Sequence, residues 1–256
     1  MNFGLVQSNI IFENKEKNIA KAKNIAKKAK AANIDILFFP EMSFTGFSMN
    51  TDVIGESDNE TINIMAEVAK ENGIALGFGW VYKGRGKAEN RYTILNEKGK
   101  ILSNYTKIHP FSLDGEDRYY NSGNKVTTFE YNGFRICTLI CYDLRFPEVF
   151  QAASKDADLI VVPANWPDER LDHWRTLLKA RAIENLCYIA GINCIGNFND
   201  KTYSGNSSIY NPNGELLISS EKESILTFNA VNDVEVFRKN FPSRRDRKTK
   251  LYKKLI

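Results

Sequence analysis

Apolar positions in this chain recur with two periods that take turns. Short runs of apolar and β-branched residues predict buried strands: FGLVQ, DILFFP, IALGFGWVY, RICTLI, DLIVVPANW and CYIAGINCI. Between them lie stretches with the period of a half-buried helix. In KNIAKAKNIAKKAKAAN, Ile19, Ala22, Ile25, Ala26 and Ala29 form one apolar stripe while lysines cover the other faces. ETINIMAEVAKEN repeats the pattern with Ile62, Met65, Ala66 and Ala69, and Gly73 supplies its stop. A further helix is expected directly after Cys141, and a long one through LDHWRTLLKARAIENL. RYTILNEKGKILSNY reads as a hairpin turning at Lys98-Gly99, and a second hairpin turns at Asn132-Gly133. SSIYNPNG, ELLISS and SILTFNAV add strands towards the C-terminus. Helices between apolar strands, with several hairpins, predict an α/β fold of large mixed sheets covered by helices. No linker-like run, low-complexity tract or fixed-period repeat interrupts the chain, so residues 1–256 are expected to form one domain.

Three of the strands run into a reactive side chain at their carboxyl ends, where α/β sheets usually carry their sites. DILFFP leads to Glu41, ILSNYT to Lys107 and RICTLI to Cys141. Asp143, Arg145 and Glu148 follow Cys141 at once, and charge is costly inside a core. The thiol is therefore expected where the chain leaves the core and turns into a helix. Taken singly, Cys141 reads as a small hydrophobe closing a strand, Glu41 as a strand terminator and Lys107 as one surface lysine among many. Together they make a base, a cation and a nucleophile. A free thiol is mostly protonated at neutral pH and needs a base to attack a carbonyl. Glu41 would take that proton, hand it to a departing amine, and then activate water against the thioester. Lys107 and the backbone N–H of Tyr142, at the start of the helix, would stabilise the oxyanion.

Composition narrows the setting. With 43% hydrophobic residues, 256 residues can bury a sizeable core. MNFGLVQSNIIF lacks a basic segment followed by a long apolar run, and no run approaches a membrane span, so a cytoplasmic protein with no membrane partner is expected. The four cysteines, at 137, 141, 187 and 194, show no close CxxC pairing and are expected as thiols. Only two histidines occur, His109 and His173, outside any ligand-spaced cluster, so neither a metal site nor a cofactor is expected. From Arg238 onwards nine basic residues meet one acid, a net +8 that leaves −4 on the rest of a chain whose total is +4. Such a tail suits nucleic acid or anionic lipid, but it has little aromatic interleaving and the body is acidic. The expectation is a solvated or partner-packing basic segment from about 238, with no nucleic-acid partner.

FFPEMSFTGF, YTKIHPF and ICYDLRFPE resemble the three signature segments of the nitrilase, or carbon–nitrogen hydrolase, superfamily. The resemblance runs from about Phe3 to about Phe241, nearly the whole chain. It implies a Glu-Lys-Cys triad on Glu41, Lys107 and Cys141, and a four-layer αββα sandwich that forms a homodimer or higher homo-oligomer. Many members carry a second glutamate seven residues before a glycine, and Glu116 stands seven before Gly123 in LDGEDRYYNSG. The family role implied for Glu116 is to orient Lys107 and the attacking groups. CYDLRFPE with PANWPDERLDHWRTLLKARAIEN is similar to the omega-amidase branch, whose members deamidate 2-oxoglutaramate and 2-oxosuccinamate. In that reading Arg145 either binds a substrate carboxylate as a bidentate pair or holds Glu148 or Asp143 in a salt bridge. Trp166 either walls the pocket or fills the core. The alternatives are an amidase for an N-carbamoyl amino acid or deaminated glutathione, and a non-catalytic binding protein using the basic tail. The intact Glu41, Lys107 and Cys141 weigh against the last. A Cys-His hydrolase built on His173 lacks a visible orienting partner.

Overall fold

The computed structural model describes residues 1–255, and two six-stranded sheets organise it. Its first half runs β1 (Asn2–Gln7), α1 (Lys15–Ala31), β2 (Ile36–Phe38), a short α2 (Thr51–Ile54), α3 (Glu60–Asn72), β3 (Ala75–Tyr82), β4 (Glu89–Leu95) and β5 (Ile101–Thr106). A one-turn helix, α4 (Glu116–Tyr119), leads to the hairpin of β6 (Thr128–Tyr131) and β7 (Phe134–Thr138). Then come α5 (Pro147–Ala153), β8 (Leu159–Ala164), α6 (Leu171–Asn185), β9 (Tyr188–Asn193) and a two-stranded ribbon of β10 (Ile195–Phe198) and β11 (Lys201–Ser204). β12 (Ser207–Tyr210), β13 (Leu216–Ser220) and β14 (Ser224–Asn229) precede three C-terminal helices, α7 (Val234–Asn240), α8 (Ser243–Asp246) and α9 (Thr249–Leu255).

The sheets share one plan. In the first, ordered β14-β1-β2-β3-β4-β5, three parallel strands (β1, β2, β3) are flanked by antiparallel ones. In the second, ordered β13-β12-β9-β8-β7-β6, the parallel strands are β7, β8 and β9. One face of each sheet meets the other. Phe3, Leu5, Ile36, Phe38 and Tyr92 share a buried cluster with Phe134, Ile136, Leu159 and Val161, and the rings of Phe3 and Phe134 meet edge to face at 5.4 Å. The opposite face of the first sheet packs Leu37, Leu76 and Phe78 against Ile19, Ala22 and Ala26 of α1 and Met65, Val68 and Ala69 of α3. Phe150 of α5 and Trp174 and Leu178 of α6 join the core on the second sheet. The layers are helix, sheet, sheet, helix.

Several expectations shift at element boundaries. β2 and β7 stop three residues before Glu41 and Cys141, so these side chains ride on segments beyond the strands; Lys107 alone follows its strand directly. CYIAGINCI is two strands rather than one. The Asn193 carboxamide oxygen accepts from the Cys194 N–H at 3.0 Å and from the Trp166 N–H at 2.8 Å, and this local capture ends β9. The β10–β11 ribbon begins there. Asp143, expected outside the core, is fully buried; four donors described below compensate its charge.

The basic C-terminal segment is not merely solvated. Arg238 donates to the carbonyls of Ala157 (2.7 Å) and Leu186 (3.2 Å), Arg244 to that of Ser154, and Arg247 to that of Glu184 (2.6 Å). These oxygens lie at or just beyond the C-termini of α5 and α6, where four carbonyls per helix lack intrahelical partners and the macrodipole favours cations. The segment clasps two helix ends. Among the described residues no helix is long and apolar enough to cross a membrane.

Candidate active site

Beyond β2 the chain is stitched onto β3 rather than released. The Ser43 hydroxyl donates to the Pro40 carbonyl (2.6 Å) and accepts from the Gly79 N–H (2.8 Å), while the Tyr92 hydroxyl donates to the Phe39 carbonyl (2.7 Å). A Cβ at Gly79 would lie 2.3 Å from the Met42 nitrogen, so only glycine lets this turn lie flat on the strand. Met42 takes a left-handed φ of 41° to complete the turn. The result is a buried Glu41 with both carboxylate oxygens occupied. Oε1 accepts from Lys107 Nζ (2.9 Å) and Asn90 Nδ2 (2.8 Å), and Oε2 accepts from the Asn165 backbone N–H (3.0 Å).

Lys107 is held from both sides of the backbone: its N–H donates to the Asn90 carbonyl (2.9 Å) and its carbonyl accepts from Gly123 (2.7 Å). A Cβ on Gly123 would stand 2.1 Å from the Thr106 carbonyl oxygen, which gives the glycine after Glu116 a steric reason. The ammonium donates to Glu116 Oε2 at 2.8 Å as well as to Glu41. Its three donors leave one directed elsewhere, and Lys107 lines the cleft. Glu116 also accepts from the Phe111 N–H (2.5 Å) and from Asn90 Nδ2 (3.0 Å).

Cys141 opens a 3₁₀ turn (Cys141–Arg145) with φ 44°, a left-handed conformation that a non-glycine residue adopts only when its surroundings impose it. Asp143 pins the turn that follows Cys141. Its carboxylate accepts from the Ile140 N–H (2.8 Å), the Tyr105 hydroxyl (2.7 Å), the His109 N–H (3.0 Å) and His109 Nδ1 (2.7 Å). The His109 ring stacks on Phe146 at 3.8 Å. Arg181 of α6 donates to the Leu144 carbonyl from both Nε (3.1 Å) and Nη2 (2.9 Å), closing the turn from below. The Tyr142 N–H has no backbone partner among the described residues.

The charges act on one another. Burial and the Glu41 carboxylate push the Cys141 thiol well above its ordinary range, against the pull of Lys107. Burial alone would lower the Lys107 ammonium, but the carboxylates of Glu116 and Glu41 outweigh it and hold it well above the usual lysine range. Burial also raises Glu116, with Lys107 opposing and Glu41 adding to the rise. The thiol is thus protonated at rest beside a permanent cation.

Cys141, Lys107 and Tyr142 face a partly enclosed cleft. Phe47, Phe111, Trp166 and Tyr203 give it apolar walls, and Arg145, Arg170, Lys201 and Asp114 carry its charge. Lys201 and Asp114 pair with each other. Arg145 pairs with neither Asp143 nor Glu148, which corrects the salt-bridge alternative: Asp143 is already saturated, and the guanidinium lies over the Trp166 ring at 5.0 Å and contacts His173 Nδ1 at 3.2 Å. His173 thus serves Arg145, not Cys141. Trp166 is both wall and core residue, its ring 5.4 Å from that of Trp174 at a tilt of 40° while it lines the cleft. Cys137, Cys187 and Cys194 are buried. Among the described residues no group of three His, Cys, Asp or Glu side chains is placed to hold a metal ion.

The structure therefore brings Glu41, Lys107, Glu116 and Cys141 together, with Tyr142, Arg145 and Trp166 around them. Asn90, His109, Asp143, Asn165 and Arg170 belong to the same locale and do not stand out in the sequence.

Comparison with known proteins identifies the family. The family model described as carbon-nitrogen hydrolase matches residues 3–236. A 2-oxoglutaramate amidase of Bacillus subtilis is 34% identical over 222 residues, covering 85% of each chain. The omega-amidase YafV of Yersinia enterocolitica is 35% identical over 216 residues, covering 83% of this chain and 84% of its own. A CN-hydrolase superfamily protein from Xanthomonas campestris, solved with an arsenic adduct in its active site, superposes with a TM-score of 0.90 at 28% identity over 97% of both chains. The fold and these matches agree: the chain is a carbon–nitrogen hydrolase enzyme and belongs to that family.

Proposed function

We propose that this enzyme is an omega-amidase, hydrolysing the terminal amide of a small 2-oxo acid such as 2-oxoglutaramate or 2-oxosuccinamate through a thioester on Cys141. The observation that carries this reading is a buried Glu41–Lys107–Glu116 cluster beside the Cys141 thiol, at the floor of a cleft whose Arg145 has no carboxylate partner among the described residues. The amidase relatives support the substrate class.

Glu41 Oε2 receives the thiol proton as Sγ attacks the amide carbon. Negative charge moves to the carbonyl oxygen, where the third Lys107 proton and the Tyr142 N–H stabilise it. Collapse breaks the C–N bond, Glu41 passes its proton to the departing nitrogen, and ammonia leaves. Water then attacks the thioester, again losing its proton to Glu41. The thiolate departs and regains that proton, which frees the carboxylic acid. Glu116 keeps Lys107 aimed. Arg145 pairs with the substrate carboxylate at the far end, so the amide, not the acid, meets the thiol. The family also implies a homodimer, for which Phe241, Leu251 and Leu255 offer exposed apolar surface.

Ammonia release measured over a panel of ω-amides of 2-oxo acids, N-carbamoyl amino acids, deaminated glutathione and nitriles tests the reading. The 2-oxo acid amides are expected to show the highest kcat/KM. A preference for any other class would reassign the substrate.

A further inference from the structure

Asn90 lies on β4, almost fully buried, and joins every charged member of the cluster. Its amide nitrogen donates to Glu41 Oε1 at 2.8 Å and to Glu116 Oε1 at 3.0 Å, while its backbone carbonyl accepts from Lys107. Both amide hydrogens therefore serve carboxylates of like charge. The reversed amide would turn its oxygen against both, so charge fixes the orientation, at the cost of leaving Oδ1 buried without a partner. A native structure tolerates such a lone oxygen where the rest of the group has a stronger role. Lys107 closes the ring from the other side.

We propose that Asn90 is a positioning residue for the reaction: it lets Glu41 and Glu116 stay ionised together around one cation, and by filling Glu41 Oε1 alongside Lys107 it directs the proton of Cys141 to Oε2, which holds only the Asn165 N–H. This rests on Glu41 being the general base. Two buried carboxylates beside a single ammonium repel each other unless further donors face them. The other titratable groups around them are Cys141, Tyr120 after α4, Cys194 after β9 and Tyr203 of β11, none of them a cation. Without the Asn90 donors the pair holds a proton to higher pH, and a protonated pair has no base to offer.

The test is the pH profile of kcat/KM for Asn90→Ala, Asn90→Ser and Asn90→Ala/Glu116→Gln, each checked for folding by thermal melting. Asn90→Ala should move the acid limb up by about one pH unit. Its kcat at neutral pH should fall about tenfold or more, a share of the 10²–10⁴-fold that a general base typically contributes. KM should change little. Asn90→Ser, with one small donor, should move the limb less, and it replaces the alanine variant if that does not fold. Removing the second negative charge with Glu116→Gln should return the limb towards its original position. A limb that stays put in a folded Asn90 variant, or a shift that Glu116→Gln leaves unchanged, overturns the proposal. Glu41→Gln run in parallel separates the two readings. If it hydrolyses at the parental rate, the base assignment fails; if it is inactive while the Asn90 limb is unmoved, only the role of Asn90 fails.

Discussion

In the proposed mechanism Cys141 is a nucleophile stored as a thiol. Burial and Glu41 raise it, so its thiolate is scarce at neutral pH, and proton removal is coupled to attack. The sign has a direct consequence for alkylation. With no substrate present, iodoacetamide should modify Cys141 slowly at pH 7, and the rate should keep climbing with pH beyond about 8.5, the ordinary thiol value. A rate already flat at neutral pH would mean a pre-formed thiolate. Cys141→Ala and Cys141→Ser should abolish hydrolysis, whereas Cys137→Ala, Cys187→Ala and Cys194→Ala should keep most of their turnover per folded molecule. At Arg145 the missing structural counter-ion predicts a binding effect. Arg145→Lys loses the bidentate fork, and KM should rise about tenfold or more with kcat and melting temperature little changed. Equal KM values would remove Arg145 from the site. Glu41, Lys107 and Cys141 were legible because each is a reactive residue just past an apolar run. Asn90 was not: its two partners lie 49 and 26 residues away in sequence, and a polar residue within a strand reads as solvent-facing. Asp143 misled for a related reason, since only folding brings Tyr105 and His109 to its carboxylate.

At the level of elements, positions follow from how strands are ended. Gly79 admits the Glu41 turn, Gly123 admits the Lys107 carbonyl, and Asp143 gathers the turn that holds Cys141. The helices and most strands were legible from periodicity. Their ends were not, because termination depends on local contacts such as the Asn193 capture of Cys194. The C-terminal clasp was equally hidden: its acceptors are backbone carbonyls, which every residue carries. Arg238→Ala removes donors to the three carbonyls of Ser154, Ala157 and Leu186 and ion pairs to Asp158 (3.5 Å) and Glu235 (2.9 Å). Charge-assisted hydrogen bonds of this kind contribute roughly 1.5–3 kcal/mol. Urea unfolding should show a loss of about that size, with kcat per folded molecule unchanged. An unaltered midpoint would return the segment to a solvated role.

At the scale of the whole molecule, the two sheets divide the chemistry between them. Glu41, Lys107 and Asn90 come from the first sheet; Cys141, Asn165 and Trp166 follow the carboxyl ends of β7 and β8, interior strands of the second. No half of the sandwich holds both the proposed base and the proposed nucleophile, so the cluster forms only once the inner faces have packed. The periodicity predicted two-sided mixed sheets, but the pairing of one sheet's base with the other's thiol depends on contacts more than a hundred residues apart, such as the Asn165 N–H on Glu41. Whether that pairing is chemical or merely architectural is decided by Glu41→Gln, which keeps shape and hydrogen-bonding reach but accepts no proton. Ammonia leaves during acylation, so a single-turnover ammonia trace, with Cys141 acylation followed by mass spectrometry and melting recorded on the same preparation, reads the step itself. A Glu41→Gln protein that melts normally and acylates slower by on the order of 10²–10⁴-fold is the expected result; acylation at the parental rate, with or without a lowered melting temperature, would show that Glu41 only holds Lys107 in place.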